Sequence, residues 1–130
     1  RLYNKEKSTQ GLKETTNKEK LPKYVEMGPF RVNIRLLNHD TSYEISDQQG
    51  SFHSKPPLTI NLDESIMNMH NEVSLNLIVH ELFHLCHYMY HLEGATEEVM
   101  VNAHANFMTE LLMRSNLKNW IKSVLFQITP

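Results

Sequence analysis

The alternation of apolar and polar positions divides the chain into a polar lead-in, a strand-forming stretch and a helical half. From Arg1 to Tyr24 the residues are mostly Lys, Glu, Thr, Asn and Gln, with few large apolar side chains. Residues 1–27 are therefore expected to form a flexible lead-in, and 28–130 a single domain. After Gly28-Pro29, the run Phe30-Arg31-Val32-Asn33-Ile34-Arg35-Leu36 alternates with period two, the sign of a half-buried strand. Turn-forming clusters follow at Asn38–Ser42 and Ser46–Gly50, with a short strand expected at Ser51–Ser54 and a break at Lys55-Pro56-Pro57. Leu58-Thr59-Ile60-Asn61-Leu62 alternates again and reads as a strand just before the first long helix.

Beyond Asp63 the period changes. Asp63, Glu64 and Ser65 supply capping groups and first-turn acids, and the main helix is expected to begin between Ser65 and Glu72. Leu75, Ile78, Leu82, Leu85, Met89 and Leu92 recur at helical spacing and form one apolar stripe. Gly94 is the expected stop, with an earlier break also open. Thr96 caps a second helix that opens on Glu97 and Glu98, runs to about Ser115-Asn116, and turns Met100, His104, Phe107, Met108 and Leu111 inward. Leu117 to Phe126 predicts a third, short helix, with Trp120 and Leu125 packing back on the core. Strands first and helices after define the class as α+β: a small antiparallel or mixed sheet packed on helices.

Composition narrows the partners. A chain of 130 residues with a formal charge of −2 has no basic surface to argue for nucleic acid. It also has no apolar run of the ~18–20 residues that a membrane span needs. A peptide or protein is the expected partner, and the oligomeric state is left open. One cysteine, Cys86, excludes an internal disulfide and is expected to fill the core. Arg1 to Lys20 lacks the shape of a signal peptide, so the expected compartment is the cytoplasm, although a start at Arg1 is what a processed or trimmed chain would show.

Histidine changes the picture most. Of the eight in the chain, five lie between His80 and His104. His80-Glu81-Leu82-Phe83-His84 places two imidazoles one helical turn apart, so both rings face one point in space. That point is roughly 160° round the helix from Ile78, away from the core. Such a pair suits zinc, and Glu81, one step round, can take a proton from a metal-activated water. An ordinary buried helix with incidental histidines fits less well, because a Glu among Ile78, Val79, Leu82 and Phe83 is costly without a purpose. His39 and His53 are expected at the surface.

A hydrolytic zinc site keeps three protein ligands and one open place. His87 and His91 share the face of His80 and His84, yet His91 lies seven residues beyond His84, about 10 Å on an unbroken helix. Glu97 falls near the apolar centre of the second helix and Glu98 on its flank, which favours Glu98, with Asn102 as a hydrogen-bond partner for a ligating histidine. Glu98 reaches the ion only if the chain reverses near His91 and the first helix ends close to Tyr88 or Met89. A longer first helix would bring His104 there instead.

These residues resemble a known family. The His80–His84 motif with a downstream Glu is similar to the zincin metallopeptidases of the gluzincin branch. Glu97 to Asn102 followed by Phe107 to Leu112 is similar to the ImmA/IrrE-like metallopeptidases and to small HExxH proteins of bacterial viruses and prophages. The resemblance implies strands before the motif helix and a ligand-bearing helix after it. It also implies Zn²⁺ on His80, His84 and Glu98, with Glu81 as general base. The ligand Glu of the ImmA/IrrE signature stands closer to its Ala-Asn and Phe-Ala positions than Glu98 does to Ala105-Asn106-Phe107. The metzincin pattern fails, since position 87 is His rather than Gly and His91 comes one residue late. The expected activity is peptide-bond hydrolysis, with Leu58–Leu62 as an edge strand that holds an extended substrate and Tyr88, Tyr90, His87 or His104 as oxyanion donor. The alternative is a zinc-stabilised regulatory or binding module that does not cut.

Overall fold

The computed structural model describes residues 19–41 and 49–127; most of the expected lead-in and the Ser46–Gln48 turn lie outside these. Four strands form one mixed sheet: β1 (Tyr24–Met27), β2 (Phe30–Leu37), β3 (Gly50–His53) and β4 (Thr59–Asp63), in the order β1-β2-β4-β3. The helices are α1 (Glu64–Asn68), α2 (Glu72–Tyr90), α3 (Glu97–Met113) and α4 (Lys118–Leu125). The architecture is α+β, as the element order predicts, and no helix among the described residues is long and apolar enough to cross a membrane.

Two corrections concern the sheet. Tyr24–Met27, counted with the lead-in, is a strand whose Val25 and Met27 are fully buried. Four alternating residues are too few for a periodic signal, but Gly28 at φ +57° closes a two-residue hairpin that pairs Met27 with Phe30. Leu58–Leu62 is not an edge. β4 pairs with β2 in parallel (Ile34 with Ile60) and with β3 antiparallel (Phe52 with Ile60), so the outer strand on that side of the described sheet is β3. The long connection from β2 lets β4 return alongside it, a placement that alternation alone does not encode. Residues 39–41, expected as a turn, are helical, with the Asn38 side chain accepting from the Thr41 N–H.

The helical half follows its capping chemistry. Asp63 caps α1 by accepting from the Ser65 N–H. The chain breaks at His70, which sits at φ +53°, and restarts at Glu72. There Asn71 and Ser74 form a reciprocal capping box, and the Ser74 hydroxyl also donates to the Ile66 carbonyl at 2.7 Å. α2 stops four residues before Gly94. His91 takes the left-handed conformation, the Leu92 N–H returns to the His87 carbonyl, and the Leu92 side chain is buried beneath the turn.

The core lies between the sheet and the helices. Val25, Met27, Val32, Ile60 and Leu62 meet Ile78, Leu82, Leu85 and Cys86 of α2, with Phe107 and Leu111 of α3 completing the cluster. From α4 it is Trp120, Ile121 and Val124 that pack inward. Leu125 is 59% exposed, contrary to the expectation, because Trp120, Ile121 and Val124 already define the inward stripe and Leu125 falls off it.

Candidate metal centre

α2 carries the core on one side and the candidate site on the other. His80 and His84 are both exposed, their ring centroids 5.2 Å apart with planes at 74°. Glu81, one residue along, is 3% exposed and lies in the wall of a cleft of about 300 Å³ lined by Gln49, Gly50, Val73, Asn76, Leu77 and His80. A buried carboxylate thus sits beside His80, in a helix that also carries the exposed His84 ring one turn on and whose position is fixed by its other face.

Gly50 makes this arrangement possible, and the motif reading missed it. A Cβ built on Gly50 would lie 3.0 Å from Glu81 Oε2 and 3.0 Å from Leu77 Cδ1, closer than side chains normally approach. A side chain there would make Glu81 or Leu77 give way by a few tenths of an ångström, so glycine lets the start of β3 come down onto the carboxylate unhindered. A glycine opening a strand was the available signal, since it often marks a close backbone approach.

The electrostatics follow from burial. Desolvation pushes the Glu81 carboxyl above the ordinary glutamate range, against an opposing pull from His80. His84 is pushed down, first by burial and then by the neighbouring charges of His80 and His87, which favours the neutral imidazole that ligates metals. The Cys86 thiol is fully buried and pushed up to about 11 by desolvation, so it belongs to the core, as expected.

Glu98 is not brought to this face. α3 returns antiparallel to α2 with Cys86 Sγ 4.0 Å from the Ala103 carbonyl, His87 meeting His104, and the Phe83 and Phe107 rings 5.7 Å apart. That register sets Glu98 level with the loop beyond Tyr90, at least six residues or about 9 Å along the axis from His84. Both Glu97 and Glu98 are exposed in the first turn of α3, where they favour the helix N-terminus. His91 is the exposed left-handed residue that ends α2, and His104 faces His87 and Phe83. Among the described residues no three His, Cys, Asp or Glu side chains are grouped to hold a metal. In kind, two imidazoles beside a carboxylate suit zinc; in number, the motif itself provides two ligands.

Tyr88 stands one turn beyond His84, its ring 6.1 Å from both Phe30 and Phe52. Of the four expected oxyanion donors, it alone is held against the sheet. In comparisons with protein-family models, curated proteins and solved structures, the chain matches none.

Proposed function

We propose that this protein is a zinc-dependent metallopeptidase in which His80 and His84 hold the ion and Glu81 is the general base. The observation that carries the reading is the buried Glu81 carboxylate in a cleft that His80 and Gly50 also line, with the exposed His84 ring 5.2 Å from that of His80. When bound, zinc supplies Lewis acidity, polarising a carbonyl and bringing the pKa of a water towards about 7. Glu81 accepts the proton of the attacking water and delivers it to the leaving amine. Its upward shift makes it a stronger base than an exposed carboxylate, and its burial keeps bulk water from competing for the proton.

A peptide substrate in extended form is the partner this geometry favours. β3 is the outer strand next to the cleft, and an added strand there would carry its backbone past Glu81. The register of α2 and α3 leaves Glu98 outside the ligand set unless metal binding draws the first turn of α3 towards His84, and Glu98→Gln tests that step through zinc affinity.

The decisive experiment pairs metal analysis with peptide cleavage for the wild type, Glu81→Gln and His84→Gln. Glu81→Gln should retain zinc and lose turnover by about 10²-fold or more. His84→Gln should lose both. Cleavage that survives in Glu81→Gln would dismiss the assigned base.

A further inference from the structure

We infer that His87 and His104 form a second transition-metal site, separate from the His80–His84 pair, which clips α2 to α3. Their Nε2 atoms are 3.1 Å apart, although the rings come from different helices seventeen residues apart in the chain. Two nitrogens at 2.0–2.1 Å from one tetrahedral zinc lie about 3.3 Å from each other, so the pair stands within a few tenths of an ångström of chelating geometry. Without metal the contact is a hydrogen bond in which one ring donates and the other accepts, and an ion would take the place of the shared proton.

Burial does not force this meeting. His87 is exposed and His104 half-buried, so water could serve either ring alone. The helix register holds them instead: the Cys86–Ala103 contact lies level with the pair and the Phe83–Phe107 ring contact one turn towards the start of α2. Phe83 also lies 5.2 Å from the His104 ring and shields one side of it. A clip with two imidazoles and water in its remaining places selects borderline divalent ions such as zinc, nickel or copper over magnesium or calcium. Among the described residues no third His, Cys, Asp or Glu is grouped with this pair, so His84 of the motif is not one of its ligands.

Zinc titration of the full chain by calorimetry, with melting curves in parallel, tests the clip independently of the peptidase reading. In His80→Gln/His84→Gln, one equivalent of zinc should still bind and raise the melting temperature, while magnesium should do neither. Adding His104→Gln to that variant should weaken the remaining isotherm by about tenfold or more. A His80→Gln/His84→Gln protein that binds no zinc overturns the proposal, as does binding indifferent to His104→Gln. If that double variant does not fold, His104→Gln alone should bind one equivalent fewer than the wild type, and unchanged stoichiometry overturns the proposal. Failure of the peptidase reading has a different signature: wild-type zinc uptake that does not change on loss of His80 and His84.

Discussion

Glu81 is stable in its place only at a cost. Its folded carboxyl titrates above the unfolded value, so the fold favours the neutral acid, and that advantage is lost as pH rises through the raised value. In the metal-free protein, Glu81→Gln should therefore be at least as resistant to urea as the wild type at neutral pH, even though it is inactive; a marked loss of stability would show that the carboxylate has a structural partner. Gly50→Ala tests the neighbouring contact. The added methyl would displace Glu81 or Leu77, so hydrolysis should fall well beyond any change in melting temperature. Cys86 gives a third reading at this scale. A fully buried thiol with its pKa pushed up to about 11 should resist alkylation in the folded chain and react at the normal rate in denaturant.

At the scale of elements, stability rests on caps and on one buried aspartate. Asn71→Ala removes the capping box of α2 and should cost about 1 kcal/mol in denaturant titration, with the His80 and His84 rings left in place. Asp63 ends β4 and starts α1. Burial alone would push its carboxyl up, but the bonds from Ser65 and His39 outweigh it and the net direction is down. Its contribution is thus present above the ordinary carboxylate range and is lost as pH falls through the lowered value. Asp63→Asn should flatten the acid limb of the stability profile. The two long helices, α2 and α3, were legible in the sequence because each repeats its period over many residues and begins on a capping side chain. The sheet was legible only in part. β1 is too short to show a period, and whether Leu58–Leu62 lies inside or at the edge depends on where distant strands pair. The end of α2 was left open between Gly94 and an earlier break: Gly94 is the better stop by residue type, yet the chain takes the left-handed turn at His91, with Leu92 buried beneath it.

For the molecule as a whole, the motif's two histidines and its glutamate were visible as a local pattern. What surrounds them was not, since Gly50 reaches Glu81 through the sheet and His104 reaches His87 through the packing of two helices. Phe107 joins these layers. It is fully buried between α2 and the rest of the core, and Phe107→Ala should cost about 3–5 kcal/mol, enough to threaten folding of a domain this small. The turn at His91 has a reach beyond its own residues. It fixes how many positions separate the outgoing rod from the returning one, and so decides which side chains become opposite numbers. One residue inserted within the first turn of α3 would turn every side chain beyond it by about 100° relative to that turn. Every cross-pair along the seam would then be re-indexed, while the five-residue signature on the outgoing rod would be untouched.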